Sequence, residues 1–257
     1  MTRTKRILVP ISFSPFSDNS LRHVANMFEG EELTLLHVYP EKEYNRKFDF
    51  GKRSYAVGMH EELKKTFRRV VGEPPAKTCF LAHAGTISRT INKISHRYDL
   101  MVLSRKIHPV KKYEYFSSKK LFIITKARCP VLILPITDAP FRLQNCEHVW
   151  HIKRRDTEPV VVAKGMEKLG VDPERMEVKT LQQRNFLSSF WKNIIAYENS
   201  HKKNLLKKID EAHEKESIDL IILVDNEASI FSDFFKGEIV RQFNDHKIPI
   251  LVLPDQF

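Results

Sequence analysis

The apolar residues of this chain occur in short, nearly continuous runs, separated by segments in which apolar residues recur every three or four positions. In the first half, five runs have the length of strands. They are Arg6–Ile11, Leu33–Tyr39, Lys77–Ala82, Leu100–Ser104 and Val131–Leu134. Because strands that are apolar on both faces are buried on both sides, the alternation predicts a parallel β-sheet covered by helices.

The segments between these strands have the signals of helices. Ser14 is a predicted N-cap with Pro15 at the first helical position, and Gly30 marks the end of that helix. Its predicted core residues are Leu21, Val24, Ala25 and Phe28. The following segments are an irregular basic stretch at 41–57, a helix at 59–71 and a helix at 86–98 with Ile87, Ile91 and Ile94 on its inner face.

The chain also repeats itself at an offset of about 120 residues. Asp99–Ser104 (DLMVLS) returns as Asp219–Val224 (DLIILV), 120 residues later. Cys129–Pro135 (CPVLILP) returns as Ile248–Pro254 (IPILVLP), 119 residues later. A repeat of this period indicates one duplicated domain, since solenoid repeats are much shorter.

The second half is predicted to be a degenerate copy of the first. Its predicted strands are Glu147–Ile152, Arg175–Leu181, Lys192–Tyr197, Leu220–Val224 and Pro249–Leu253, with helices at Glu158–Leu169 and Lys203–Lys215. We therefore expect two α/β domains, at residues 1–137 and 146–257. Each should contain a five-stranded parallel sheet with helices on both faces.

The net charge of +11 belongs entirely to the first half. Residues 1–140 contain 25 Lys and Arg against 13 Asp and Glu, whereas residues 141–257 contain 18 against 19. A basic field of this kind attracts nucleic acid, nucleotides or acidic proteins. A solvated basic face without a dedicated partner is the other interpretation.

Cysteine usage and hydropathy favour a cytoplasmic protein. The sequence has no run of 18 apolar residues, so no contact with a membrane is expected, and residues 1–6 enter the first strand without a signal-peptide core. Cys79, Cys129 and Cys146 have unrelated spacings, which is typical of reduced thiols. Neither a CxxC pair nor a Cys/His zinc spacing occurs, so no metal is expected.

Four segments, taken in chain order, resemble the universal stress protein family. They are Ile7–Ser14 (ILVPISFS), the LLHV at 35–38, the DLMVL at 99–103 and Cys129–Pro135. The resemblance covers residues 1–136 and, more weakly, 203–254, so the chain resembles a tandem universal stress protein. It implies a Rossmann-like fold of the adenine nucleotide alpha hydrolase type in each half and a role in the response to stress.

One branch of this family binds ATP through Gly-x2-Gly-x9-Gly-Ser/Thr after the fourth strand. The glycines let the backbone approach the phosphates, and the hydroxyl lies at a helix N-terminus that favours anions. The matching positions are Ser104, Ile107, Ser117 and Ser118 in the first half, and Val224, Glu227, Gly237 and Glu238 in the second. The family's Asp in the turn after the first strand corresponds to Ser12. The departures imply that neither half binds ATP conventionally, and no cofactor is expected.

The first-half loop nevertheless keeps the hydroxyl of Ser118 and is strongly basic. Its cations are Arg105, Lys106, Lys111, Lys112, Lys119 and Lys120. Lysine and arginine side chains can replace backbone amides as anion ligands. The alternative function is therefore a nucleotide- or anion-binding switch that uses the loop 104–120. The candidate site residues are Ser12, Ser104, Arg105, Lys106, Ser117 and Ser118. In the simpler interpretation the loop is merely exposed, and Ser117 or Ser118 caps a helix.

Other patterns favour a non-catalytic protein. His148 and His151 are three apart in a predicted strand, so they point to opposite faces and cannot share a metal. His37 is expected to be a buried core residue. The sequence contains no nucleophile elbow, no Walker loop and no pair of carboxylates suited to acid–base chemistry.

The terminal strands predict how the halves assemble. The resemblance implies dimerisation through the last strand, an exposed apolar edge that needs a partner. Val131–Leu134 and Ile250–Leu253 supply both sides of such a pair within one chain, which predicts an internal pseudo-dimer. A homodimer and an acidic protein partner stay open, and nucleic acid is the less favoured partner. The expected role is regulation or binding in a stress response, with the second half as a structural partner.

Overall fold

The computed structural model describes residues 3–40, 52–104, 123–137, 141–153, 159–182, 218–225 and 247–254. The strands are β1 Arg6–Pro10, β2 Glu32–Tyr39, β3 Thr78–Ala84, β4 Leu100–Ser104, β5 Val131–Leu134, β6 His148–Lys153, β7 Glu177–Gln182, β8 Leu220–Asp225 and β9 Ile250–Pro254. The α-helices are α1 Pro15–Met27, α2 Lys52–Val70, α3 Ile87–Ile94 and α4 Pro159–Lys168. Three 3-10 turns span Ser95–Arg97, Leu143–Asn145 and Pro173–Arg175.

The nine strands of the described residues belong to one sheet, in the order β3-β2-β1-β4-β5-β9-β8-β6-β7. Every pairing is parallel except that of β5 with β9. The order β7-β6-β8-β9 repeats β2-β1-β4-β5, so the predicted α/β architecture is confirmed in both halves. The predicted strand at 192–197 and helix at 203–215 lie outside the described residues. The proposed boundaries at 137 and 146 stay a prediction.

The two halves join through antiparallel pairing of β5 with β9, as the sequence predicts. The register pairs Val131 with Val252, Leu132 with Leu251, and Ile133 with Ile250. Under the 119-residue offset of the repeat, Leu132 corresponds to Leu251. The pairing is therefore symmetric about these two leucines, which is the pattern of a two-fold interface formed within one chain.

Two apolar layers cover the sheet, and both continue across the junction between β5 and β9. One layer contains Leu132 and Leu251 together with buried residues of α1, α2 and α4. The other contains Ile133 and Ile250 together with Ile91 of α3. Since all five side chains are fully buried, the halves share their core on both faces.

The repeated aspartates have the same structural role in each half. Asp99 Oδ2 accepts a hydrogen bond from the N–H of Arg6 at 2.9 Å. Asp219 Oδ2 accepts from the N–H groups of Glu147 and His148, both at 2.9 Å. Each carboxylate thus ties the start of β4 or β8 to the start of the neighbouring strand, which explains why Asp precedes both apolar runs.

The segment that follows β5 is held against α1. Asn19 Nδ2 donates to the carbonyl of Pro135 at 3.2 Å, and His23 Nε2 lies 2.8 Å from the carbonyl of Thr137. Leu143, in the 3-10 turn before β6, is fully buried in the shared core. The connection between the halves is therefore docked on the first half along its described residues.

Two helix boundaries differ from the sequence prediction. Helix α2 begins at Lys52, although 41–57 was expected to be irregular. Tyr55 explains the earlier start, since it is buried and its ring meets Tyr39 edge-on at 4.7 Å. Helix α3 ends at Ile94, and a 3-10 turn replaces its last predicted turn. Within the part of the chain that the structure describes, no helix is long and apolar enough to cross a membrane.

Helix α4 approaches the sheet closely at Gly165, and this contact is testable. A Cβ at Gly165 would lie 2.8 Å from Cδ1 of the buried Leu253 in β9. We expect Gly165→Val to lower the free energy of unfolding by about 1–3 kcal/mol, because it overpacks the core. Gly58→Val in α2 is the matched control, since a Cβ there meets nothing within 4 Å. Urea denaturation measures both, and an equal effect of the two substitutions would contradict the close packing.

Candidate functional site

The carboxyl ends of β1 and β4 form the candidate site. In the order β3-β2-β1-β4-β5 the direction of chain progression reverses between β1 and β4. Ligands of open parallel sheets bind beyond the carboxyl ends of the strands at such a switch point. Ser12 follows β1 and Ser104 ends β4, so the fold brings these two predicted site residues to the same end of neighbouring strands.

A tight turn connects β1 to α1 and positions Ser12. Phe13 has a φ of 53°, the left-handed region that residues other than glycine seldom adopt. The Oγ atoms of Ser12 and Ser14 lie 2.9 Å apart, within hydrogen-bond distance. The N–H of Ser14 donates to Ser17 Oγ at 3.1 Å, which fixes the first turn of the helix. Ser12 is exposed, so its hydroxyl lies at the surface of the site.

An aromatic cluster lies beside this turn, and sequence reasoning missed it. The Phe13 and His37 rings have centroids 4.4 Å apart, and Tyr39 stacks on His37 at 6.4 Å. His37 Nδ1 lies 2.8 Å from the carbonyl of Ile11, and since a carbonyl only accepts, Nδ1 carries the proton. His37 is half-buried at the end of β2, so the expectation of a buried core residue is wrong. His37 and Tyr39 are two residues apart in a predicted strand, which places both rings on one face of the sheet. Together with the aromatic Phe13 in the turn after the first strand, this spacing was the sequence signal for the cluster.

The described residues contain part of the predicted site. Ser104 is 9% exposed at the end of β4, where it pairs in the sheet with Leu134. Arg105, Lys106, Ser117 and Ser118 lie outside the described residues. In the second half the position equivalent to Ser104 is Val224, an apolar residue that is also buried. Glu227, Gly237 and Glu238 lie outside the described residues as well.

The cysteine thiols differ sharply in their environment. Burial raises the pKa of Cys129 to about 12, and burial also raises the pKa of Cys146 to about 12. Cys79, in the edge strand β3, is exposed. A thiol is nucleophilic only as the thiolate, so the two buried cysteines are unreactive near neutral pH.

The histidines of β6 lie on opposite faces of the sheet, as their spacing predicts. His151 is 3% exposed, whereas the side chain of His148 is 37% exposed and lies 3.6 Å from a carboxylate oxygen of Glu177. Among the described residues, no group of three or more His, Cys, Asp or Glu side chains is arranged to hold a metal ion.

The mostly parallel sheet, its helices on both faces and the switch point in its strand order define a Rossmann-like α/β protein. The family model described as "Universal stress protein family" matches residues 3–135, just over half of the chain. The chain therefore belongs to the universal stress protein family, as its motifs indicate. No curated protein matches the chain.

One solved structure extends the likeness of the fold to the second half. The chain is similar to a universal stress protein from Archaeoglobus fulgidus DSM 4304, with a TM-score of 0.60 and 13% identity over 97% of this chain and 96% of that one. It is also similar to the universal stress protein UspA from Lactobacillus plantarum, with a TM-score of 0.38 and 15% identity over 52% of this chain and 99% of that one. The first similarity shows that one fold spans nearly the whole chain.

The pKa values of the thiols predict selective labelling. In the native protein at pH 8 we expect one fast-reacting equivalent per chain, from Cys79, since a thiol with a pKa near 12 is thiolate in only about one molecule in ten thousand at that pH. Absorbance with an aromatic disulfide reagent measures the equivalents. The Cys79→Ser variant should lose the fast phase, and all three wild-type thiols should react in denaturant. A second fast native thiol would show that the buried pair is accessible.

Proposed function

We propose that this universal stress protein acts in the stress response without catalysis and does not bind ATP in the conventional way. The observation that carries the proposal is Ser12. The family resemblance places an Asp at this turn in the ATP-binding branch. A carboxylate there accepts hydrogen bonds from the nucleoside, whereas Ser12 offers a single hydroxyl that already lies 2.9 Å from Ser14 Oγ.

The end of β4 supports the same proposal. The ATP-binding pattern begins with a glycine at the position of Ser104, where bare backbone lets a phosphate approach. Here the residue has a side chain, and it is buried. Replacing such a glycine removes the open approach on which the conventional phosphate site depends.

The second half is proposed to be a structural partner of the first. β5 is flanked by β4 and β9, and β9 is flanked by β5 and β8. Neither strand has an open edge, so these strands offer no edge to a second copy of the chain. The chain by itself then takes the place of the dimer that the family resemblance implies.

The alternative function is an anion-binding switch. It is favoured by the six cations of the loop 104–120, which include Lys119 and Lys120 next to Ser118. A cationic loop at the switch point could bind a nucleotide or another anion without glycines. The two functions differ in whether a nucleotide stabilises the protein.

Nucleotide release and thermal stability distinguish them. We expect mass spectrometry of freshly purified, denatured protein to find no stoichiometric nucleotide, and ATP, AMP and cyclic AMP to cause no saturable rise in Tm. A ligand at 100 times its Kd would stabilise the fold by about 2.7 kcal/mol, a rise of several degrees. A saturable rise that Ser118→Glu abolishes and Ser118→Ala reduces less would establish the switch instead.

A further inference from the structure

Exposed cations that have no counter-ion in the described part of the chain cover the outside of α3 and the turn beside it. We call this surface the cationic face, and it consists of Arg89, Lys93, Arg97 and Arg128. All four residues are exposed, and none of them forms an ion pair with the described residues. None of these four residues is a candidate site residue, so the inference does not rest on the function proposed above.

The backbone holds the cationic face in a fixed arrangement. Arg89 and Lys93 are four residues apart, so they share one side of α3 about 6 Å apart along its axis. Ile91, on the opposite side of the helix, is fully buried in the apolar layer beneath. Arg97 continues the surface in the 3-10 turn. The N–H of Arg128 donates to Ser95 Oγ at 2.9 Å, which ties its loop to that turn.

No carboxylate in the same segments balances these charges. The sequence contains no Asp or Glu at 86–98 or at 123–137. Asp99, which follows the first of these segments, is buried and engaged elsewhere, with Arg3 at 3.7 Å and Arg6 at 3.8 Å. Among the described residues, the cationic face is thus uncompensated both along the chain and in space.

The opposite face of the same half differs in this respect. There, Lys64 pairs with Glu61 at 3.0 Å, Arg68 with Glu73 at 3.3 Å, and Arg69 with Asp18 at 2.8 Å. The helix α2 supplies these three paired cations, whereas none of the four cations of the cationic face is paired among the described residues. The grouping of four such cations on one face therefore distinguishes α3 and its neighbouring turn from α2.

The side chains around the cationic face indicate which kind of polyanion it can bind. Its large apolar neighbours pack against the apolar layer, and the large apolar side chains that are exposed in the described residues are Val57, Val71 and Val178, none of them in its segments. A protein interface has an apolar core, which this face lacks. Single-stranded nucleic acid needs aromatic side chains on which bases stack, and Tyr98 packs against the apolar layer.

We propose that the cationic face binds the phosphate backbone of a double-stranded nucleic acid. Arginine supplies three of the four cations, and its planar guanidinium bonds phosphate oxygens in pairs. Contacts to phosphates alone give binding that ignores base sequence and weakens steeply with salt. The proposal fixes the partner by the dense phosphate charge of a duplex, which DNA and RNA share although their helical forms differ.

Fluorescence anisotropy with the full-length protein tests this proposal. The labelled probes are duplexes of DNA and of RNA of about 20 bp, a single strand of about 20 nucleotides, and polyglutamate. The affinity for each probe is measured at salt concentrations from about 20 to about 200 mM, the range over which phosphate contacts change affinity most visibly. Four phosphate contacts predict a slope of log K against log salt of about −3.6. The variant R89Q/K93Q/R97Q should flatten the slope by about 2.7. Arg128→Glu should also weaken binding to both duplexes.

A variant of equal charge is the control. R22Q/K65Q/K164Q also removes three exposed cations that form no ion pair among the described residues, but outside the cationic face. It should change the slope by far less. Equal losses in the two triple variants, with both folded by circular dichroism, would overturn the proposal in favour of net charge. No binding to either duplex would also overturn it, and polyglutamate binding in place of duplex binding would indicate an acidic protein partner. Comparing the two duplexes identifies the preferred helix.

Discussion

The pairing of β5 with β9 is the contact on which the rest of the structure depends. Each of these strands is apolar along its whole length, and each would be an unpaired edge if its half stood alone. Antiparallel pairing centred on Leu132 and Leu251 removes both edges at once. It also brings the apolar layers of the two halves together, so the packing on one side of the junction supports the packing on the other.

This constraint acts on the middle of the sheet and leaves its carboxyl ends free to differ. The inner strands of the two halves stay closely alike, and so do the carboxylates of Asp99 and Asp219 that anchor them. At the carboxyl ends the halves differ, since the position of Ser104 in the first half is occupied by Val224 in the second. The residues at the carboxyl ends of a half can change without disturbing its strand pairing, because the strand contacts and the ligand contacts involve different atoms.

The sequence predicted best those elements whose signals are local. The strands β4, β5, β8 and β9 are apolar runs bounded by Asp or Pro, and each prediction was right to within one residue. The start of α2 was missed because it depends on Tyr55 packing against Tyr39, a contact across elements. The environment of His37 was missed for a similar reason, since its apolar neighbours along the chain say nothing of the Ile11 carbonyl that its ring contacts.

The distribution of charge over the surface is another property that local sequence signals do not predict and that the tertiary structure shows. Counting residues located the basic excess in the first half but not on a particular face. An exposed ion pair is worth less than about 1 kcal/mol, so folding stability alone neither requires the pairs of α2 nor forbids the unpaired cations of α3. Because paired and unpaired surface charges differ little in their effect on the free energy of unfolding, the arrangement of these charges matters chiefly for the binding of charged partners. Three ion pairs offset part of the positive charge on the side of α2, whereas the exposed cations of α3 and Arg128 have no counter-ion among the described residues.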